Sequence, residues 1–189
     1  MSLLLLFGGA GRATDTLRQV PELLIPADIL VFGDKTQDGQ VVLSVRTAWI
    51  EIIKAITDDP DFIYRVDPRK MEELIAGAYE REHWDVVLTP RSGDKGRDVI
   101  ATKPGFGQVR IYDQVKRYTP GHIVTADEVR SLVGVLSIQK NVSKGVLTTT
   151  TTFAPNMYEE VQHLMPYRLE LKNGDQLRDW LGDLDTRQQ

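Results

Sequence analysis

Residues 91–101 read R-S-G-D-K-G-R-D-V-I-A, and residues 108–118 read Q-V-R-I-Y-D-Q-V-K-R-Y. The first segment is typical of a glycine-containing loop that continues as a strand, and the second of a long strand that follows a turn. Successive side chains of a strand point to opposite faces, so Gln114 and Lys116 share a face. A hairpin that brings Asp98 beside them would gather a carboxylate, an amide oxygen and an ammonium at one point.

These three groups suit a hard cation and a phosphodiester. Mg²⁺ prefers oxygen ligands and retains several waters, so one or two protein ligands and a phosphate are enough to hold it. Asp98 would supply a carboxylate oxygen, Gln114 an amide oxygen, and Val115 a main-chain carbonyl. Mn²⁺ would be an acceptable substitute for Mg²⁺. Lys116 would orient the attacking water or neutralise the charge that builds up on phosphorus.

A predicted helix brings a further acid towards this site. Asp67 is a good N-cap, and Pro68 suits the first helical position. The apolar stripe of this helix consists of Met71, Leu74, Ile75 and Ala78. Helical spacing puts Glu72 at the edge of that stripe and Glu73 on the solvent side. We therefore expect Glu72 to be the helix acid that reaches the site, where it would hold a water or a second ion.

The chain as a whole is acidic, with a formal net charge of −4. This charge excludes a generally basic, histone-like protein, so any binding of nucleic acid has to use a local basic patch. The basic residues expected around the site are Lys95, Arg97, Arg110 and Arg117. They would supply the positive field that phosphates require, and Tyr118 is a further candidate contact to DNA.

The order of predicted elements from residue 67 is helix, three strands, helix, strand, helix, strand, helix. Helices that alternate with strands after an antiparallel hairpin predict an α/β fold, a mixed β-sheet flanked by helices. We predict a catalytic domain over residues 67–189. Residues 1–66 are predicted to form a small strand-rich N-terminal lobe of unknown role, although they include a short helix from Trp49 to Ile56.

The long strand is predicted to have two different faces. Val109, Ile111 and Val115 alternate on one face, which we expect to lie in the core. The opposite face, which carries Gln114 and Lys116, is predicted to be a polar working surface. Asp113 falls on the core face, so we expect it near an edge or in a hydrogen bond.

The chain contains no cysteine. Its absence excludes disulfides, thiolate metal sites and cysteine nucleophiles. The apolar run from Leu3 to Phe7 is too short for a signal peptide or a membrane span, and no basic region precedes it. We therefore expect a soluble, cytoplasmic protein without a membrane partner.

The segment from Gly93 to Ile100, together with Gln114 to Tyr118, resembles the Mrr branch of restriction-endonuclease-like nucleases. These belong to the PD-(D/E)xK superfamily, here in the variant in which glutamine replaces the second acid. Three other segments carry the resemblance: Met71–Ile75, Gly145–Thr149 and Leu171–Leu177. It covers roughly residues 66 to 184.

This resemblance implies a restriction-endonuclease-like fold and Mg²⁺-dependent cleavage of DNA. Asp98, Gln114 and Lys116 would form the catalytic core, with Glu72 as the helix acid. Asp94 matches a frequent position of the family and is better suited to shaping the loop than to binding the main ion.

The chain departs from the family in several respects. His83 and Trp84 stand where the family often has Gly-Tyr, and Lys95 stands where it often has glycine. Mrr-like enzymes commonly carry a separate DNA-recognition domain, often a winged helix. Residues 1–66 are not typical of one, because they look strand-rich and are not basic.

Three functions are compatible with these observations. The first is an endonuclease of type IV-like restriction or defence, which acts on foreign or modified DNA. The second is a junction-resolving or repair nuclease with the same chemistry, and the third is a DNA-binding or regulatory module that does not cut. The complete set of Asp98, Gln114 and Lys116 favours cutting. One site cuts one strand, so double-strand cleavage would require a homodimer or a larger assembly.

Overall fold

The computed structural model describes residues 28–90, 97–105 and 107–186. The strands in this part of the chain are β1 (Leu30–Lys35), β2 (Gln40–Ser44), β3 (Asp85–Leu88), β4 (Val99–Lys103), β5 (Val109–Lys116), β6 (Ile123–Val124), β7 (Lys144–Thr149), β8 (Thr152–Phe153) and β9 (Leu169–Lys172). The α-helices are α1 (Arg46–Asp58), α2 (Pro68–Arg81), α3 (Ala126–Ile138), α4 (Met157–Val161) and α5 (Gly174–Thr186), and Pro60–Tyr64 and Gln162–Leu164 are short 3₁₀ helices. No helix in the described ranges is long and apolar enough to cross a membrane.

Seven of the strands form one mixed sheet in the order β1-β2-β3-β4-β5-β7-β9. Neighbours from β1 to β5 are antiparallel, whereas β5, β7 and β9 run parallel. The two-residue strands β6 and β8 pair with each other in a small parallel sheet of their own. The predicted mixed α/β fold is confirmed, and the element order from residue 67 differs from the prediction only by these two short strands and the short 3₁₀ turn after α4.

Helices cover both faces of the large sheet. On one face, α1, α2 and α5 contribute Trp49, Met71 and Leu177 to a single core. On the other face, α3, α4 and the small sheet surround Leu132 and Leu147 in a second core. Strand β5 lies between the two cores, because Ile111 and Val115 belong to the first and Tyr112 to the second.

Local sequence signals account for where the helices begin. Asp67 caps α2 by accepting a hydrogen bond of 2.8 Å from the Arg69 amide, and Pro68 is its first residue. Glu128 completes a capping box at the start of α3 by accepting the Thr125 amide at 2.9 Å. These signals act between near neighbours in the sequence, so they were predictable without the tertiary structure.

The prediction of a polar working surface on β5 is wrong at two residues, Tyr112 and Gln114. Tyr112 is fully buried and Gln114 is 8% exposed, because α3 and the second core cover the face that they share. Close packing continues on β7, where an added Cβ at Gly145 would lie 2.7 Å from a methyl of Leu136 on α3. In the second half of β5, this face carries Gln114 and Lys116, and only Lys116, the last residue of the strand, is partly exposed.

Asp113 is fully buried on the opposite face of β5. One of its carboxylate oxygens accepts hydrogen bonds of 3.0 Å from the Tyr79 hydroxyl and from the Thr148 hydroxyl. Burial raises the pKa of Asp113 to about 7, although the charge of Lys172 and the two hydrogen bonds oppose this rise. Lys172 is itself largely buried, and desolvation lowers its pKa. The strand thus carries, directly before Gln114, a buried acid whose ionisation destabilises the fold.

We predict that Asp113→Asn changes how stability depends on pH. The folded-state pKa of Asp113 lies above its ordinary value of 3.8, so its contribution is fully present below that pH and is lost as the pH rises towards about 7. The neutral amide escapes this loss, so the variant should gain on the order of a few kcal/mol relative to wild type between about pH 5 and about pH 8. Urea denaturation at both pH values measures the difference, and the same pH dependence in both proteins would contradict it.

Residues 28–66 share the sheet and the core of the segment predicted to be catalytic. Strands β1 and β2 extend the large sheet, and the Trp49 indole N–H on α1 donates a hydrogen bond of 3.0 Å to the Leu74 carbonyl on α2. The predicted division at residue 66 therefore corresponds to no break in the sheet or in the core, and residues 1–27 lie outside the described residues.

The exposure of Glu73 differs from the prediction that this residue lies on the solvent side of α2. Its side chain is 12% exposed, less than the 19% of Glu72, so the expected solvent side of α2 is in fact covered. Gly77, on the same helical face as Glu73, lies directly against the Trp49 ring. Helical periodicity within α2 could not show that Trp49 covers Gly77, because Trp49 belongs to a separate helix.

We predict that Gly77→Ala destabilises the protein, because the added Cβ would lie 2.7 Å from the Trp49 ring. Overpacking of this kind costs about 1–3 kcal/mol. Gly134→Ala on α3 is the matched control, since its Cβ would meet nothing within 4 Å and alanine favours a helix. Chemical denaturation of both variants measures the two effects. Equal stability of the two variants would mean that α1 does not pack on α2 as described.

Candidate active site

The candidate site lies where the start of β4 meets the end of β5. Asp98 directly precedes β4, and its Oδ2 atom accepts a hydrogen bond of 2.7 Å from the Val115 amide. The Asp98 amide in turn donates to the Asp113 carbonyl at 2.9 Å. Two hydrogen bonds therefore hold Asp98 against β5, as the predicted hairpin requires.

The Val115 carbonyl lies on the same edge of the strand as its amide. In an antiparallel ladder, the N–H and C=O groups of one residue point towards the same neighbouring strand. Because the Val115 amide points to Asp98, the Val115 carbonyl also faces the region that Asp98 occupies. The structure thus brings together two of the three predicted metal ligands.

Gln114 is the third of the predicted metal ligands. Its Oε1 atom is buried and accepts no hydrogen bond from the described residues. A buried acceptor without a partner typically costs about 1–3 kcal/mol, which makes such atoms rare unless a ligand satisfies them. A hard cation would satisfy this oxygen, so the donor set fits Mg²⁺ or Mn²⁺.

Lys116 ends β5 on the same face as Gln114 and is partly exposed. Its carbonyl accepts hydrogen bonds from the Thr149 hydroxyl at 3.0 Å and from the Thr150 amide at 3.2 Å. The Thr150 hydroxyl also joins the amide and the carbonyl of Tyr118, each at 2.9 Å. The threonine run that follows β7 therefore fixes the backbone on which Lys116 stands.

Two residues, Arg69 and Thr89, connect Glu72 to the backbone of Asp98 by hydrogen bonds. Arg69 donates to the Glu72 carboxylate at 2.6 Å and to the Thr89 carbonyl at 2.9 Å. The Thr89 hydroxyl donates to the carbonyls of Arg97 at 2.8 Å and Asp98 at 3.2 Å. No sequence motif marks Arg69 or Thr89, because their role depends on how α2 meets the end of β3.

Arg97 and Arg110 both form ion pairs with a carboxylate of the same chain. Asp38, in the turn between β1 and β2, pairs with Arg97 at 3.0 Å and with Arg110 at 2.6 Å. Both guanidinium groups also lie over the Tyr112 ring, 5.0 Å and 5.6 Å from its centre. No local sequence pattern marks these pairs, because the partners of Asp38 are 59 and 72 positions away.

The other predicted DNA contacts have different environments. Lys95, like Asp94, lies outside the described residues. Arg117 is partly exposed, and its buried Nε atom has no hydrogen-bond partner among the described residues. The Tyr118 ring stacks on His122 with 3.7 Å between ring centres.

Tyr118 also donates its hydroxyl proton to the carboxylate of Glu128 on α3. Burial, followed by this hydrogen bond, raises the pKa of Tyr118 to about 12. Burial would also raise the pKa of Glu128, but its hydrogen bonds from Tyr118 and Thr125 and the charge of Lys116 lower it overall. Glu128 is thus both the capping residue of α3 and a carboxylate near Lys116.

The described residues contain no group of three His, Asp or Glu side chains that could hold a metal ion together. The candidate ion site therefore depends on one carboxylate, from Asp98, together with an amide oxygen and a main-chain oxygen. This composition matches the variant in which glutamine replaces the second acid.

The mixed sheet and its flanking helices define a restriction-endonuclease-like domain. A family model described as a restriction endonuclease, Mrr_cat, matches residues 63–181. This match covers well over half of the chain, so the chain belongs to that family. The predicted resemblance is confirmed.

Three known proteins are similar to parts of the chain. The uncharacterized protein y4cE of Sinorhizobium fredii (strain NBRC 101917 / NGR234) is 26% identical over 140 residues, which are 74% of this chain and 35% of that protein. A structure of the MspJI restriction endonuclease in complex with a 27-mer oligonucleotide has a TM-score of 0.49 and 20% identity, and the match covers 72% of this chain and 34% of that one. The DNA modification-dependent restriction endonuclease AspBHI has a TM-score of 0.47 and 20% identity, over 87% of this chain and 40% of its own. The chain thus spans about a third of the curated relative that it matches.

We predict that Asp38→Asn destabilises the protein, because two partly buried arginines lose their shared carboxylate. Removing one partner of a buried ion pair costs about 3–5 kcal/mol, and partial exposure should reduce the loss here to about 1–3 kcal/mol. Asp34→Asn removes the same charge from an exposed position of β1 and serves as the control. Urea denaturation should show a loss for Asp38→Asn alone, and equal behaviour of the two variants would contradict this role of Asp38.

Proposed function

We propose that this chain is a Mg²⁺-dependent DNA endonuclease that acts in restriction or defence against foreign or modified DNA. The observation that carries the proposal is the hydrogen bond of 2.7 Å from the Val115 amide to Asp98, which sets a carboxylate beside the unpaired buried oxygen of Gln114. This arrangement lies inside the segment that matches the restriction endonuclease family.

The oxygen atoms of Asp98, Gln114 and Val115 would hold the cation. Once bound there, Mg²⁺ supplies polarisation of the phosphoryl oxygens and a lowered pKa for a coordinated water. During hydrolysis, the water oxygen would form a bond to phosphorus and release a proton to solvent, one ester P–O bond would break, and the leaving oxygen would take a proton from solvent. The Lys116 ammonium neutralises charge on the phosphoryl oxygens or orients the water, and Glu72 holds a further water from the side of α2.

Plasmid cleavage tests this assignment. Wild type should cut in Mg²⁺ and not in EDTA, and Asp98→Ala and Lys116→Ala should each cut at least about 10²-fold more slowly, since each loses a group that acts in the transition state. Lys54→Ala removes an exposed charge from α1 and should cut like wild type. Equal cutting by all four proteins would remove these residues from the site.

The choice of substrate separates the remaining functions. Methylated, unmethylated and branched DNA should be offered in parallel, and restriction predicts that methylated linear DNA is preferred. Preference for branched DNA would indicate a junction-resolving or repair nuclease, and binding without any cutting would indicate a regulatory module. A rate of double-strand cleavage that rises more steeply than in proportion to protein concentration would support a homo-oligomer, because one site cuts one strand.

The two adjacent glutamates of α2 should affect different properties. Glu72→Ala should lower the cleavage rate by about 10²-fold with little change in stability, because it removes a group that positions water. Glu73→Ala should instead lower stability by about 1 kcal/mol, because Glu73 pairs with Lys70 at 2.9 Å in a partly buried position. Cleavage rates and thermal unfolding of both variants measure this separation. A larger loss of activity in Glu73→Ala would mean that the wrong glutamate has been assigned.

A further inference from the structure

A cleft of about 310 Å³ opens between the β1–β2 hairpin, the start of α2 and the end of β3. The residues of its wall that matter here are Phe32, Lys35, Gln37, Gln40, Arg69 and Thr89. The volume is at the lower end of the range for small-molecule sites and has room for about one nucleotide. The cleft is therefore large enough to hold part of a DNA strand.

The cleft and the candidate active site share a wall. Thr89 lines the cleft, and its hydroxyl donates to the Asp98 carbonyl at 3.2 Å. Arg69 also lines the cleft and pairs with Glu72 at 2.6 Å. A strand segment bound in this cleft would thus lie next to the phosphate that Asp98 and Lys116 act on.

The chemistry of the wall suits a nucleotide. Among the described residues of the wall there are two cations, Lys35 and Arg69, and no carboxylate. Glu72 neutralises the charge of Arg69, so we assign the contact with a phosphate to Lys35. Phe32 is 45% exposed, and a ring at such a site can pack against a sugar or a base. The side-chain amide of Gln37 can form a hydrogen bond to a sugar or to a base.

The hairpin that forms the outer wall is held in place. Asp38 ties its turn to Arg97, the residue directly before Asp98, at 3.0 Å. Gly39 lies so close to β3 that an added Cβ would stand 2.3 Å from the Leu88 carbonyl oxygen. The Thr36 amide closes the turn by donating to the Gly39 carbonyl at 2.7 Å. A wall that is already ordered loses little entropy when a ligand binds.

We propose that this cleft binds the DNA backbone beside the scissile phosphate, with Lys35 on a phosphate and Phe32 against the adjoining sugar or base. The proposal rests on the proposed endonuclease function and assigns to the β1–β2 hairpin a direct contact with the substrate. It places one substrate contact outside the segment that matches the nuclease family, since the hairpin precedes residue 63.

Binding measurements on the full chain test the proposal. Fluorescence anisotropy with a labelled duplex in EDTA, over a series of KCl concentrations, compares wild type with Lys35→Gln and with Lys54→Gln. Lys35→Gln should weaken binding about tenfold and reduce the slope of log K against log salt by about 0.9, as expected for one lost phosphate contact. Lys54→Gln removes the same charge from α1 and should change neither quantity by a comparable amount. Equal effects of the two substitutions would overturn the proposal.

A single introduced cysteine gives the position of the DNA strand. The chain has no cysteine, so Lys35→Cys creates a unique thiol to which an iron chelate that generates hydroxyl radicals can be attached. The labelled variant should cut DNA next to the position where the unlabelled protein cuts, and a labelled Lys54→Cys control should not. Radical cutting only at distant positions would overturn the proposal.

The two measurements distinguish the failure of this inference from the failure of the proposed function. If wild type neither binds nor cuts DNA, both are wrong. If wild type cuts DNA but Lys35→Gln binds it like Lys54→Gln, only the assignment of the cleft is wrong.

Discussion

The hydrogen bond of 2.7 Å between the Val115 amide and the Asp98 carboxylate is the constraint on which the candidate site depends. It joins the start of β4 to the end of β5 and so places an acid beside the residues on either side of Val115. Gln114 and Lys116 then fall on one face of the strand, and the Val115 carbonyl falls on the edge that faces Asp98. One main-chain donor thus sets the position of Asp98 relative to the other candidate groups at the end of β5.

Strand β5 also bears the main cost in stability. Each of its faces lies in a hydrophobic core, yet it carries the buried acid Asp113 towards one core and the unpaired oxygen of Gln114 towards the other. Polar groups in such positions destabilise a fold unless they are satisfied. Hydrogen bonds from Tyr79 and Thr148 partly satisfy Asp113, whereas Gln114 would be satisfied by a bound cation. Under the proposed function, Gln114 is thus a position where binding of a ligand would offset a cost in stability.

The sequence was sufficient for features that depend on near neighbours or on strand alternation. It predicted the order of the elements, the cap at Asp67, and the shared face of Gln114 and Lys116. It failed where distant segments meet. Glu73 is mostly buried although it lies on the predicted solvent side of α2. Arg97 and Arg110 form ion pairs with Asp38, which lies far away along the chain. The buried face of β5 was missed for the same reason, because strand alternation cannot show that α3 covers a face with polar residues.

The most direct test of the ion site is a crystal structure of the protein grown with Mn²⁺, with anomalous differences measured to locate the ion. We predict a single strong peak about 2.2 Å from an Asp98 carboxylate oxygen, from Oε1 of Gln114 and from the Val115 carbonyl oxygen. A structure in which Oε1 of Gln114 is bonded to another protein group, with manganese bound elsewhere or not at all, would contradict the assignment of this strand end as the metal site.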